Sequence, residues 1–177
     1  MTGPIRARYL RAMKFKLTHV FPCTPAEFFA LLDDPDFEAM QSEVSNVQRT
    51  RLELIERPDG TKRKVVRCKP DRDVPRVLKA FVGPDGIVYH QINETDAANG
   101  KLVWSIEIQG LSDRVSVGGD TSVVAHPDGC ERTMAGEVTV NVRFVGGKIE
   151  QYVGDQIKSG YDKTARAIKK FIEARAS

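Results

Sequence analysis

Three tight-turn signals divide the middle of this 177-residue chain into pairs of strand-like segments. They are Pro58-Asp59-Gly60, Ala98-Asn99-Gly100 and Pro127-Asp128-Gly129. Asp-Gly and Asn-Gly tolerate the positive φ angles that hairpin turns require, and the flanking segments are rich in β-branched residues. The pattern therefore predicts three antiparallel hairpins. Their strands span 45–57 with 61–69, 87–95 with 101–109, and 115–126 with 130–144.

The segment before the first hairpin predicts a strand followed by two short helices. Residues 13–21 alternate apolar and polar side chains, as a half-buried strand does. Thr24-Pro25-Ala26-Glu27 then supplies a hydroxyl N-cap, a proline at the first helical position and a glutamate three residues after the cap. Asp34 and Pro35 can start a second helix that runs to about Ser42.

Two further local features lie between and within the hairpins. Asp73 can cap a run of apolar residues at helical spacing, which predicts a short inserted helix near 74–82. Gly118-Gly119 lies inside a long predicted strand and indicates a β-bulge. Such a bulge would bend the strand around a helix packed on the sheet.

The C-terminal segment 147–174 predicts one long amphipathic helix. At 100° per residue its apolar face consists of Ile149, Tyr152, Val153, Ile157, Tyr161, Thr164, Ile168, Phe171 and Ile172. Gln156 and Gly160 interrupt this face. A glycine inside a helix costs on the order of 1 kcal/mol relative to alanine. Gly160 therefore indicates either a close approach by backbone or room left for something else.

Together these elements predict an α+β fold. A curved antiparallel sheet of about seven strands would wrap around the long C-terminal helix. Residues 13–177 would form this single domain, and residues 1–12, which lack periodicity, would be a disordered N-terminal arm or a misassigned start. Because a helix fills only part of a concave sheet, the arrangement predicts a mostly apolar cavity with a few polar groups.

Charge and hydropathy exclude several classes of function. The net charge is +3 and only 7% of the residues are aromatic, without the basic and aromatic cluster typical of nucleic-acid binding. No apolar run reaches the roughly 18 residues of a membrane-spanning helix, and the first residues lack a secretion signal. We therefore expect a cytoplasmic protein without a nucleic-acid partner or an integral membrane segment. Both ends are basic, which suits transient contact with an anionic membrane surface or simply solvated faces.

No cofactor and no metal is expected. The sequence lacks the glycine-rich loops that bind phosphates and dinucleotides and the motifs of common hydrolases. Its three histidines lie far apart and lack the spacing of a metal site. Cys23, Cys68 and Cys130 are widely separated, which predicts reduced and mostly buried thiols.

Strand alternation and the helix face together give candidates for the cavity wall. On the predicted strand 101–109, alternate side chains should meet the helix. His19 shares a strand face with apolar residues, which makes it a candidate for the cavity wall. The alternative is a histidine that is hydrogen-bonded in the core or at its rim. Tyr89 is ambiguous by one register step. The candidate ligand-binding residues are His19, Tyr89, Trp104, Ile106, Ile108, Val140, Tyr152, Gln156, Gly160 and Tyr161. No catalytic residue is assigned.

A family resemblance is carried by the start of the first strand (13–22), by the segment 74–81 and, most specifically, by 138–150. On these motifs residues 13–174 resemble the START-like, or SRPBCC, superfamily, which has the helix-grip fold. Within it the chain is most similar to an uncharacterised domain-of-unknown-function family. The resemblance implies a cavity between sheet and helix and carries no established reaction. Arg143-Phe144 stands where related proteins often have a proline.

The leading functional hypothesis is binding or transfer of a small hydrophobic molecule, such as a lipid, an isoprenoid or a polyketide-like compound. Enclosure would supply the affinity, because buried apolar surface contributes roughly 25 cal/mol per Å². The first alternative is a START-like enzyme of the cyclase or dehydratase type, with His19 or a tyrosine as proton donor. The second is a regulatory domain that binds a protein partner. We favour a binding protein over an enzyme.

Overall fold

The computed structural model describes residues 12–176, so the predicted arm lies outside the described residues except for Ala12. The elements in chain order are β1 (Met13–Phe21), α1 (Pro25–Leu31), α2 (Pro35–Ser45), β2 (Val47–Glu56), β3 (Lys62–Pro70), β4 (Tyr89–Asp96), a 3₁₀ turn (Ala97–Asn99), β5 (Lys101–Ile108), β6 (Val115–His126), β7 (Gly129–Val140) and α3 (Gly146–Ala176). The strands form one antiparallel sheet in the order β1-β7-β6-β5-β4-β3-β2. The predicted α+β class, with a curved seven-stranded sheet and a long C-terminal helix, is confirmed.

All three predicted hairpins are present. The pairs β2–β3, β4–β5 and β6–β7 are antiparallel and joined by the predicted turns. Gly60 and Gly100 adopt φ angles of +82° and +65°, a region that other residues enter only with strain. Strand β1 pairs along its whole length with β7, which leaves β1 and β2 as the two sheet edges.

The two short helices begin at the predicted caps. Thr24 and Glu27 form a reciprocal capping box, in which the Thr24 N–H donates to the Glu27 carboxylate at 2.7 Å. The carboxylate of Asp34 accepts from the backbone N–H groups of Asp36 and Phe37 at the start of α2. These bonds satisfy amide donors that have no partner within a helix. Phe37, which is fully buried, then anchors α2 against the core.

The predicted inserted helix near 74–82 is a series of turns. The N–H groups of Lys79 and Val82 bond to carbonyls four residues back, but those of Leu78 and Phe81 bond three residues back. A helix this short is marginal by itself, and Pro84 prevents its extension. Leu78 is 3% exposed. Burial of its side chain therefore holds the segment on the domain.

The predicted β-bulge at Gly118-Gly119 is also absent. Strand β6 keeps a regular register with β5 and β7 through both glycines, and the sheet's irregularity lies in β2 between Arg51 and Glu53. A Cβ on Gly119 would lie 2.6 Å from the Cα of Gly136 on β7 and closer still to the Ala135 carbonyl oxygen. Gly119 thus allows a close approach of two strands.

Helix α3 packs across the sheet on two separate hydrophobic clusters. The first cluster includes Ile149 and Val153 of the helix. The second includes Ala165, Ile168 and Ile172. Within α3, none of the residues from 155 to 164 is fully buried, so the middle of the helix leaves the core incompletely filled. Among the described residues, no helix combines the length and the apolar character needed to cross a bilayer.

A buried ammonium group joins α2 to β3. Lys64 is 8% exposed, and its Nζ forms an ion pair with the carboxylate of Glu38 and donates to the carbonyl of Leu32. Arg51 also forms an ion pair with Glu38, at 2.9 Å. Burial by itself would raise the pKa of Glu38, but the two adjacent cations, Lys64 and Arg51, outweigh it and hold that pKa below its usual value.

We expect Glu38→Gln to lower the free energy of unfolding by about 2 kcal/mol at neutral pH, because the charge of Lys64 loses its main partner. The pKa of Glu38 is lower in the folded than in the unfolded state. Its contribution is therefore complete above the unfolded-state pKa and is lost as the pH falls through the folded-state pKa. Urea unfolding of both proteins across acidic pH measures this loss.

The matched control is Lys62→Gln, which removes a more exposed ion pair with Asp33. It should change stability by less than about 1 kcal/mol. A gap between wild type and Glu38→Gln that stays constant down to strongly acidic pH would contradict the assigned role of the Glu38 carboxylate.

Candidate ligand-binding cavity

A cavity of about 590 Å³ lies between α3 and the sheet. Residues of both hydrophobic clusters line it, and so does the incompletely buried middle of α3. The cavity therefore occupies the space that separates the two clusters. Its volume falls within the range of roughly 300–1,000 Å³ found for small-molecule sites.

The indole of Trp104 forms part of the floor. Trp104 is 2% exposed and lies across glycines of two neighbouring strands, with which it shares one row of the sheet. A Cβ on Gly136 would lie 2.7 Å from the indole ring and 2.8 Å from the ring of Phe15. The missing side chain on Gly136 therefore makes room for the indole. The buried indole Nε1 has no hydrogen-bond partner among the described residues.

Two glycines of α3 have different surroundings. A Cβ on Gly154 would collide with the end of the Met13 side chain, so Gly154 permits close packing against β1. A Cβ on Gly160 would meet nothing within 4 Å, and Gly160 lines the cavity. Of the two interpretations of Gly160, the geometry thus favours room over close packing.

The mouth of the cavity is polar. Its exposed lining residues come from the end of α2, the start of the β3–β4 connection and the outer side of α3. They are Asn46, Asp71, Arg72, Gln156, Ser159 and Lys163. The Arg72 guanidinium donates to the Gln156 side-chain oxygen across this opening. Gln156, which interrupts the apolar helix face, therefore lies at the rim.

Arg132 of β7 lines the cavity and is 6% exposed. Its guanidinium carbon lies 5.0, 5.9 and 5.3 Å from the ring centres of Phe21, Phe28 and Tyr161. Burial lowers its pKa, yet a guanidinium remains a cation at neutral pH. The described residues provide one hydrogen bond to it, from Nη2 to His19, and its Nε has no partner.

His19 connects Arg132 to the surface. Its Nδ1 lies 3.0 Å from Nη2 of Arg132, and its Nε2 lies 2.9 Å from Oδ1 of Asp162. A guanidinium can only donate, so Nδ1 must accept, and the proton of the neutral ring is on Nε2, where it donates to Asp162. The His19 ring is therefore held as the acceptor of an Arg132 hydrogen bond.

Two tyrosines on the cavity wall stay protonated at neutral pH. Burial raises the pKa of Tyr161 and the pKa of Tyr89. Proximity to Cys68 raises the pKa of Tyr89 further. Both phenol groups can therefore donate a hydrogen bond. Next to Tyr89, Arg49 donates to the Gln91 side chain at 3.1 Å. This gives the β4 side of the wall a polar strip.

The structure brings eight of the ten sequence-derived candidates to the lining of one cavity. These are Tyr89, Trp104, Ile106, Ile108, Tyr152, Gln156, Gly160 and Tyr161. Val140 does not line the cavity, because it packs in the first cluster near the start of α3. His19 does not line it either, because it lies on the edge strand next to Arg132. Ligand contact by any of them stays a prediction.

Sequence reasoning missed the charged lining, above all Arg132. Strand alternation along β7 places Arg132 on the same face as Val138 and Val140, so the period of the strand could have identified it. Lys64 likewise lies on the inner face of β3 and lines the cavity. Among the described residues, no three His, Cys, Asp or Glu side chains are grouped so as to hold a metal ion.

Comparison with known proteins gives a family match and several structural neighbours. The family described as "protein of unknown function (DUF2505)" matches residues 16–172. No curated protein matches the chain. The match spans all the residues that line the cavity.

The solved structures that resemble the chain share its fold at low sequence identity. The Zhui aromatase/cyclase from Streptomyces sp. R1128 has 12% identity and a TM-score of 0.61, covering 94% of this chain and 96% of its own. TTHA0849 from Thermus thermophilus has 13% identity and a TM-score of 0.59, covering 94% and 100%. Ara h 8.0201 has 14% identity and a TM-score of 0.62, covering 93% and 99%. These likenesses establish the START-like, helix-grip fold.

Proposed function

The chain belongs to the family of proteins of unknown function DUF2505, and within it we propose that this protein binds or transfers a small hydrophobic molecule. The observation that carries the proposal is the 590 Å³ cavity between the sheet and α3. Its wall is mostly apolar and opens to solvent at a polar mouth. Covering apolar wall surface with an apolar ligand contributes roughly 25 cal/mol per Å².

The chemistry of the wall supports an apolar ligand body. The cavity is lined on the sheet side by Leu102, Trp104 and Ile106 of β5, and on the helix side by Ile157 of α3. A flat or extended apolar molecule would therefore be enclosed between sheet and helix. Each buried methylene contributes about 0.8 kcal/mol. Lipids, isoprenoids and polyketide-like compounds all have bodies of this kind. The polar mouth gives the ligand a route of entry and exit.

The alternative of a START-like enzyme has less support from the geometry. His19, its first candidate proton donor, does not line the cavity and donates through Nε2 to Asp162. Tyr161 lines the cavity as a protonated phenol. One neighbour is named an aromatase/cyclase, but a shared fold by itself does not carry a reaction across.

Binding of N-phenyl-1-naphthylamine, a neutral probe whose fluorescence rises in apolar surroundings, tests the proposal. We expect saturable binding at about one probe per chain with a micromolar dissociation constant, as for an apolar molecule of this size in a preformed pocket. Native mass spectrometry of the freshly purified protein, followed by organic extraction, would identify a retained ligand. A chain that carries no ligand and gives no saturable probe signal would contradict the proposed function.

A further inference from the structure

The guanidinium of Arg132 lacks the counter-charge that a buried cation needs. Charged side chains are rarely buried unless an opposite charge or several acceptors compensate them. No carboxylate among the described residues lies within ion-pair distance of Arg132, and the Nε–H has no acceptor. Asp162 is half exposed, and its only link to Arg132 is a hydrogen bond to the neutral ring of His19, which in turn accepts from Arg132. The aromatic rings stabilise the cation from its faces but leave its N–H donors unpaired.

The rest of the cavity wall does not supply the missing charge. Five basic residues line the cavity, Arg49, Lys64, Arg72, Arg132 and Lys163, against one acidic residue, Asp71. Asp71 is exposed at the mouth. Lys64 is already paired with Glu38. The potential inside the cavity is therefore positive, and low-dielectric walls strengthen such a field.

A second donor in the wall is also without an acceptor. The Nε1–H of Trp104 is buried and has no partner among the described residues. Arg132 and the Gly136 that accommodates the indole are four residues apart on β7, a separation of about 13 Å at 3.3 Å per residue. The backbone rows that carry the two unpaired donors are thus about 13 Å apart.

We propose that the ligand is an amphipathic carboxylic acid whose carboxylate pairs with Arg132. This inference rests on the proposed function, which it makes more specific. The guanidinium N–H groups that His19 leaves free match the two carboxylate oxygens, and His19 holds the guanidinium in place by accepting from Nη2. The apolar body then extends along Trp104, which lines the cavity.

The charge count favours a monoanion over a phosphate. A phosphate group carries up to two negative charges and is usually held by several cations or by a set of backbone N–H groups. Of the two buried cations in the cavity wall, Lys64 is paired with Glu38, and Arg132 has no anionic partner among the described residues. One guanidinium matches one carboxylate in both charge and geometry.

Two fluorescent probes with the same skeleton test this inference. Pyrenebutanoic acid is an anion at neutral pH, and pyrenebutanol is its neutral counterpart. We expect the wild-type protein to bind the acid about 10- to 100-fold more tightly than the alcohol, the ratio typical of a buried charge-assisted pair. Arg132→Gln should abolish this preference by weakening the acid while leaving the alcohol within about threefold. Arg132→Lys, which keeps the charge without the guanidinium, should retain part of it.

The matched control is Arg166→Gln, which removes the same charge from an exposed position of α3 outside the cavity. It should leave the preference for the acid unchanged. Equal binding of acid and alcohol by the wild-type protein would overturn the inference, whether or not the Arg132 variants fold. If N-phenyl-1-naphthylamine still binds in that case, the proposed function survives. If none of the three probes binds and the purified protein carries no ligand, the proposed function itself fails.

Discussion

Replacing Gly160 with tryptophan should abolish binding of N-phenyl-1-naphthylamine while the domain stays folded. Gly160 lines the cavity, and a Cβ there would meet nothing within 4 Å. An indole on this position would occupy space that the ligand needs. We expect the affinity to fall by about 30-fold or more, the equivalent of losing about 2 kcal/mol of apolar contact. A fluorescence titration measures the affinity, and circular dichroism with thermal unfolding verifies the fold.

The matched control is Gly147→Trp, which places the same side chain in open space near the start of α3 and outside the cavity. It should leave the probe affinity within about twofold. Gly160→Ala, with its single methyl group, should raise the free energy of unfolding by about 0.5–1 kcal/mol, because alanine favours the helix. Wild-type affinity in Gly160→Trp, or destabilisation by Gly160→Ala, would show that the space beside Gly160 is not the ligand site.

Replacing Gly119 with alanine should destabilise the protein by about 3 kcal/mol or more, the upper range for overpacking. The added Cβ would lie 2.6 Å from the Cα of Gly136 and closer still to the Ala135 carbonyl oxygen. Both atoms belong to the backbone of β7, which cannot move without breaking its bonds to β1 and β6. For a domain of this length the loss corresponds to a fall in melting temperature of roughly 6–12 °C.

Gly118→Ala provides the comparison, since it adds the same methyl group on the opposite face of β6. There the Cβ would lie 3.0 Å from the Trp104 carbonyl oxygen, a tight but less severe contact. We expect a loss of about 1 kcal/mol from this variant. Equal stabilities for the two variants, measured by urea unfolding, would mean that β6 and β7 are not as close at Gly119 as the structure has them.

Features that depend on neighbours in the chain were predictable. The capping box of Thr24 and Glu27 involves residues three apart, and the hairpin glycines Gly60 and Gly100 need positive φ whatever surrounds them. The inner face of β5 follows from alternation alone, which placed Trp104, Ile106 and Ile108 on the cavity wall. Each of these inferences requires only the period of a helix or strand and the geometry of a turn.

Features that depend on distant segments were not predictable. The glycine pair at 118–119 looked like a bulge, but its role is to let β7 approach, and the partner atoms lie about 16 residues further along the chain. The turns at 74–82 had a helical pattern, yet the segment is held by the burial of Leu78. In both cases the local sequence pattern was present, but contacts with segments distant in the sequence decided the structure that formed.

The thiols show the same limit. Cys23 and Cys130 are 107 residues apart in sequence, yet their sulfur atoms lie 3.8 Å from each other. Both are free, and burial raises the pKa of Cys23 to about 12, so it is a neutral thiol at neutral pH. Their proximity follows from the pairing of β1 with β7, which no local pattern around either cysteine encodes.

By itself the sequence determined the strands, the two capped helices, the connections of the hairpins and the buried face of α3, because period and turn chemistry act within a few residues. The tertiary structure decided the contents of the cavity. The chain from Arg132 through His19 to Asp162 joins residues 113 and 143 positions apart, and Gly160 faces open space only because two hydrophobic clusters stop short of each other. Such contacts arise from the packing of whole elements, which no local pattern encodes.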